Sequence, residues 1–440
     1  MKSANKKGII FLAAIVFFIA ANGCKKDFDN PNAAPEEEVF TSARGITAAA
    51  IGLQRTYAFS RAGSVYNIVT ANGFVTNELI ILNTGNTSEA QLNTGNTAVD
   101  GTNTILANIW ANASKVIFDA DRVITAASSL GDKAYASGLI GYASIYKAMS
   151  LGSLAMFWEK VPDTIGTNVT FSDRITGYEK AILTIDRALA TIAATPISAN
   201  FDGDIASSII PRGTNIVNTL HALKARYSLF AGKYTDALAA ANMVDLTKKS
   251  TMNFDAVSVN PIFETATSTN NVFQPVDSTF GLPIGLRPSA TDKRVAFYTS
   301  INTAAAPRYR VNGFGAATTS PWPYYLPGEI ILIKAEALVR QANPDLAAAV
   351  AELDKVITKK PANDPFGIGA DEPAYSGPMT AAAILEEIYR QRSIELFMSG
   401  LKLEDMRRFG RPLTERKRNF FPYPFRERDN NTNTPTDPVF

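Results

Sequence analysis

Alanine-rich segments with apolar residues at intervals of three and four recur from residue 43 onward, and this spacing commits the chain to a mainly α fold with little strand. Helices are predicted near 43–59, 104–127, 133–157, 177–194, 215–231, 234–246, 327–342, 345–358 and 380–399. Thr176 with Glu179 has the spacing of a capping box that opens one of them, and Gly400 stands where a left-handed cap closes another. With 440 residues and 46% hydrophobic content, one large core or two ordinary ones can be buried.

Several of these helices pair across short breaks. Ala222-Leu223-Lys224-Ala225-Arg226-Tyr227 is followed by Gly232-Lys233-Tyr234, then Ala237 and Ala241, a run similar to a tetratricopeptide-type unit. The small residues let two antiparallel helices approach, while Tyr227, Leu229 and Tyr234 fill the wedge between them. Ala335 and Ala337 with Leu346, Ala349, Leu353 and Ile357 predict a second pair, and 142–157 with 178–189 a third. The repeats are degenerate and widely spaced, which argues against a simple solenoid. Two stretches, 60–103 and 247–326, are rich in Asn, Thr, Gly, Ser and Pro and are expected as long irregular loops, the kind that usually carries function.

At the amino end, Met1, Lys2, Lys6 and Lys7 precede an apolar run from Ile9 to Ala21 and the small residues before Cys24, the pattern of an export signal over 1–23. That run falls short of the roughly twenty residues that cross a bilayer as a helix. Cys24 is the only cysteine and stands where lipoprotein processing needs one, so it is the expected carrier of a diacylglycerol anchor. Lys25-Lys26-Asp27-Phe28-Asp29 resembles the charged sequences that route lipoproteins to the surface of some Gram-negative bacteria. Pro31, Pro35 and the glutamates at 36–38 complete a solvated tether over 24–42, leaving 43–440 as one domain.

A net charge of +2, from 43 basic and 41 acidic residues, supplies no field of one sign, so nucleic acid is not an expected partner. The single histidine, His221, sits between Leu220 and Ala222 in a helix and is read as packing. A Ser-His-Asp hydrolase, a cysteine protease and a multi-histidine zinc site each need residues that are missing. No glycine-rich phosphate loop precedes a helix. These residues imply no cofactor and no metal. A glycosidase needs only two carboxylates, so that alternative stays open beside a helical-repeat scaffold that binds peptide or protein.

The segment from Ile388 to Gly410 is similar to the signature near the carboxyl end of the SusD/RagB family, met at Arg392, Glu395, Leu396, Gly400, Asp405, Arg408 and Gly410. Gln391, Ser399, Lys402, Met406 and Phe409 stand where the family usually has Glu, Glu, Arg, Leu and Trp. Trp110 with the run Ala120 to Ile124, the exit Phe157 to Pro162, and Ile330 to Ala337 agree with the same resemblance. It implies a SusD-like helical fold in which Arg392, Glu395, Asp405 and Arg408 form structural ion pairs, Glu395 with Arg392 or Arg408. Trp110 and Trp158 are expected in the core.

The resemblance further implies a non-catalytic outer-membrane lipoprotein facing the cell exterior, with glycan as ligand and a SusC-like TonB-dependent transporter as partner. A glycan site joins aromatic faces to polar groups on a rigid edge. The expected ligand contacts are therefore Phe74, Asn77, Glu78 and Asn83 in the first loop, and Tyr309, Phe314, Trp322 and Tyr324 in the second. Trp322 lies between Pro321 and Pro323 and is read either as a stiff stacking platform or as a cap on the helix near Pro327.

Overall fold

The computed structural model describes residues 36–201, 213–304 and 306–439; Cys24, the export segment and the tether before Glu36 lie outside the described residues. The fold is mainly α. Its helices are α1 (Glu36–Val39), α2 (Ala43–Ala58), α3 (Ser64–Val75), α4 (Thr87–Thr94), α5 (Thr104–Ser128), α6 (Lys133–Phe157), α7 (Arg174–Ala194), α8 (Ile216–Phe230), α9 (Tyr234–Asn242), α10 (Lys293–Tyr298), α11 (Pro327–Arg340), α12 (Leu346–Ile357), α13 (Ala381–Glu395), α14 (Lys402–Arg408) and α15 (Phe425–Asn430). All nine helices expected from the periodicity form, and short polar side chains start most of them. Ser42, Asn103, Asp132, Asn215, Asp345 and Thr380 each accept a backbone N–H of the first turn.

Two local expectations are revised. Helix α7 begins at Arg174, so Thr176 already lies inside it; Asp173 makes no side-chain cap, and Glu179 instead pairs with Lys233 Nζ at 2.9 Å. Gly400 is left-handed (φ 83°), but α13 ends at Glu395, and the chain turns through Met398 (φ 59°) before reaching the glycine.

The helix pairs form as the small residues dictate. Ala222, Ala225, Ala237 and Ala241 are all buried between α8 and α9, which are joined through Gly232 at φ 74°. Helices α5, α6 and α7 stack in sequence on the largest core. Helices α11, α12 and α13 enclose a second core, built on Leu332, Ala335, Leu353, Val356 and Ile388.

The stretch 60–103 is not a loop. It contains α3, strand β1 (Leu79–Ile81) and α4, and every residue of α3 is buried. A helix without a solvent face has no two-sided pattern to read. Its polar residues are internal: Asn67 Nδ2 donates to the carbonyls of Arg61, Ala62 and Gly63, and Asn72 accepts from Leu403 N at 2.8 Å.

The stretch 247–326 is largely irregular as expected, its described residues holding the short α10, a π-helical turn at Phe263–Thr267, two 3-10 turns and fragments of strand. Strand β1 pairs antiparallel with Phe273–Pro275, tying the two stretches together, and Thr251–Met252 pairs with Trp322–Pro323. Thr299–Ile301 pairs with Tyr309–Val311, and Lys160–Pro162 with Phe171–Asp173.

The carboxyl-terminal segment closes the first helices. Trp158 Nε1 donates to Pro422 O at 3.0 Å, Phe421 N to Phe157 O at 2.9 Å, and Trp110 Nε1 to Glu427 Oε2 at 2.9 Å. Trp110 and Trp158 are buried edge to face, their ring centres 4.9 Å apart.

Candidate functional site

The signature residues form a buried clamp. Arg392 makes a two-pronged contact with Asp405, at 2.9 and 3.0 Å, and Asp405 also accepts from Arg408 Nη2 at 2.6 Å. Arg408 reaches across to Glu336 of α11 at 2.8 Å. The turn after α13 folds α14 back and brings Asp405 beneath Arg392. Glu395 pairs differently from expectation. Its partners are Arg294 of α10 at 3.2 Å and Lys359 at 2.7 Å, because the same turn aims its carboxylate away from Arg392 and Arg408. Gly328 leaves the space it needs: a Cβ there would stand 1.9 Å from Glu395 Oε1. Burial lowers the affinity of the Lys402 amine for its proton and raises the Glu78 carboxyl, each only partly offset by the other.

The residues expected to touch ligand are dispersed. Phe74 and Glu78 are fully buried, the carboxylate accepting from Asn72 Nδ2 at 2.8 Å and Thr76 Oγ1 at 3.1 Å. Tyr324 is interior as well, bonded to Tyr146 and, at 3.1 Å, to Thr214; desolvation pushes its phenol up to about 12. Trp322 retains 8% exposure, and its ring centre lies 6.2 Å from that of Phe314. These two rings and Tyr324 border a cavity of about 70 Å³, far below the roughly 300–1,000 Å³ usual for small-molecule sites. In this structure Phe74, Glu78, Tyr324 and Trp322 thus pack the interior, because the segments carrying them are paired into sheets and helices and not left free as loops. Trp322 does not cap α11; it pairs with Met252 in a ladder.

Four of the expected residues stay at least partly accessible, Phe314 among them. Tyr309 is half-buried on its short strand. Asn77, left-handed at φ 62°, donates to Glu415 O at 3.0 Å. Asn83 is exposed just beyond β1, where its Nδ2 donates to Asn271 Oδ1 at 3.2 Å. Asn86 and Arg61 adjoin it, Arg61 Nη2 donating to Asn86 Oδ1 at 3.0 Å. The turns flanking the β1 ladder therefore hold a small cluster of hydrogen-bonded amides, of which Asn83 and Asn271 are exposed. His221 is half-buried, and burial with the nearby Lys224 lowers its pKa.

Two larger hollows involve residues that sequence reasoning did not single out. A groove of about 330 Å³ runs between α5, α6 and α7, with Phe118 (51% exposed) and Leu183 at its margin. A second, open cleft of about 480 Å³ is lined by Pro283, Leu286, Tyr375, Glu386, Arg411 and Glu415. Burial and the Glu387 carboxylate raise the Tyr375 phenol. The cleft arises only from the pairing of distant segments and the groove from the packing of three successive helices, so no local pattern announces either. Among the described residues no group of three or more His, Cys, Asp or Glu side chains could hold a metal ion, and no helix is long and apolar enough to cross a membrane.

Paired helices clamped at their carboxyl end by buried ions, with polar turns beside short ladders, define a helical-repeat scaffold of the SusD-like class. Residues 311–437 match the model of the SusD family, and over most of its length the chain has a SusD-like fold. It is similar to a SusD superfamily protein from Bacteroides thetaiotaomicron, at 15% identity and a TM-score of 0.68 over 90% of this chain and 100% of that one. A SusD-like carbohydrate-binding protein from Bacteroides vulgatus matches at 16% identity and 0.65, over 83% of each chain. A laminarin-binding SusD-like protein matches at 15% identity and 0.59, over 90% and 99%. No curated protein matches the chain in sequence.

Proposed function

We propose that this chain is a non-catalytic receptor that captures oligosaccharide at the cell surface and delivers it to a SusC-like TonB-dependent transporter. Cys24 carries the lipid that holds it on the outer membrane. The observation that carries the proposal is the SusD-like fold presenting, in the turns beside a strand ladder, the exposed amides of Asn83 and Asn271 with the half-buried Asn86 between Asn83 and Arg61. Amides offer both donors and acceptors, the complement of sugar hydroxyls, and the turns hold them without much ordering cost. Two of the similar structures belong to proteins described as binding carbohydrate or laminarin. The groove beside Phe118 favours peptide as a second ligand class.

Affinity electrophoresis of the purified chain through gels carrying laminarin, starch, xylan or pectin tests the proposal. Retardation by at least one polysaccharide is expected, reduced in Asn83→Ala and Asn271→Ala. Retardation by none would count against glycan capture. Cys24→Ala is expected to yield folded protein released from the membrane fraction.

A further inference from the structure

The open cleft bordered by Tyr375 has the makings of a binding site apart from the amide cluster. Three separate segments build it: the turn around Pro283 and Leu286, the loop carrying Tyr375, and the start of α13 with the residues that follow α14. Its volume of about 480 Å³ falls in the range of roughly 300–1,000 Å³ typical of small-ligand sites.

Tyr375 is held like a fixed platform. Its backbone N–H donates to Asp354 Oδ1 at 2.7 Å and its hydroxyl to Pro378 O at 2.9 Å. The ring edge rests on Gly377, where any Cβ would come within 2.5 Å of the phenol oxygen. An aromatic ring that is already immobilised loses little rotamer freedom when a ligand stacks on it.

Charged groups face the ring. Glu415 is held by Arg411 through contacts of 2.9 and 2.5 Å, and Glu387 by Arg390 at 2.8 Å. Glu386 stands apart, 3.7 Å from Arg411 and 61% exposed, so its lone pairs are open to a ligand. The margin is apolar: Ile284 and Met379, each adjacent in sequence to a lining residue, are 82% and 53% exposed, and Leu413, midway between Arg411 and Glu415, is 59% exposed. An aromatic platform, a solvent-exposed carboxylate loosely paired with Arg411, a fixed guanidinium and an apolar rim are together what a pyranose ring requires, with C–H faces on one side and hydroxyls around the edge. Glu386, Glu387 and Glu415 against Arg411 and the Arg390 that holds Glu387 leave an excess of one negative charge. A uronic acid meets repulsion there.

Resting on the reading of the chain as a glycan receptor, we infer that this cleft is a saccharide-binding site that takes neutral oligosaccharide and rejects uronate-bearing chains, with Tyr375 as its stacking platform.

Titration calorimetry on the full chain with laminarihexaose, maltohexaose, xylohexaose and a galacturonic acid hexamer tests this. At least one neutral hexamer is expected to bind and the galacturonate not to bind. Tyr375→Ala is expected to weaken the neutral hexamer by about five- to ten-fold and Tyr375→Phe by less than about two-fold. Glu386→Ala, at an exposed position, provides a second variant that leaves melting unchanged; it is expected to weaken binding by about two- to five-fold. If no hexamer binds the wild type, glycan capture itself is contradicted. If a neutral hexamer binds and both alanine variants bind it as tightly as wild type, the site is elsewhere while glycan capture stands. Tighter binding of the galacturonate, lost in Tyr375→Ala, would overturn the charge argument.

Discussion

Helix α13 carries charge at both ends, to opposite effect. Toward its carboxyl end Arg392 and Glu395 are wholly buried, each oxygen of Glu395 held by a different cation from another part of the chain. Toward its amino end Glu386 lies 61% exposed above an open cleft, with its nearest guanidinium 3.7 Å away. The side chains are alike and the surroundings are not. Burial converts an ion pair into a structural constraint, because a stranded partner cannot regain water; exposure leaves the same carboxylate free for a ligand at little cost to the fold.

Glu395→Ala probes the buried end most severely. It removes the carboxylate that Arg294 and Lys359 share, leaving them Asp292 and Asp364, and the loss of two buried charge-assisted bonds is expected to cost about 3–5 kcal/mol, enough to lower the denaturant midpoint sharply or to block folding. Glu395→Gln keeps the shape and loses less. A fully stable Glu395→Ala protein would erase the distinction between the two ends.

Trp322→Ala sharpens the comparison elsewhere. Its ring sits among Phe314 and interior neighbours, so truncation is expected to destabilise by about 3 kcal/mol through lost burial and a widened cavity. Thermal melting reads this directly. An unchanged melting temperature with weakened glycan binding would make Trp322 a ligand platform despite its burial.

The smallest effect is expected at an exposed acid with good partners. Asp163 accepts from Ser172 Oγ at 2.5 Å, Thr170 Oγ1 at 2.6 Å and Lys180 Nζ at 3.1 Å, and these bonds, Ser172 first, lower its pKa to about 2. A folded-state pKa below the unfolded one means that the unfolded chain binds the proton first as pH falls. The contribution of Asp163 is therefore complete above the ordinary aspartate range and lost as pH drops toward about 2. Acid unfolding of Asp163→Asn should lack that step. A slope identical to wild type would show that the three bonds contribute nothing to stability.

The scaffold was legible in the sequence because amphipathic helices repeat their own evidence every turn, and caps such as Asn103, Asp132 and Thr380 mark where they begin. Helix α3 was illegible for the converse reason. With no wet face it has no stripe, and Asn67, Asn72 and Thr76 looked like loop residues when their bonds are internal. The clamp was anticipated in Arg392, Asp405 and Arg408, whereas the partners of Glu395 were not, since Arg294 and Lys359 carry no motif. Phe74, Trp322 and Tyr324 proved interior through a similar ambiguity: Trp322 between two prolines looks equally stiff in a core and on a rim. Tyr375 gave no signal, because its platform depends on Gly377 and Pro378 and on a cleft wall almost a hundred residues earlier.

The bonds from Phe421, Pro422 and Glu427 to the ends and flanks of α5 and α6 also govern the order in which the molecule can be finished. Contacts spanning 264 to 317 residues cannot form until nearly the whole chain has emerged. No amino-terminal fragment can therefore seal its own tryptophans, and the growing chain stays open until its last segment arrives.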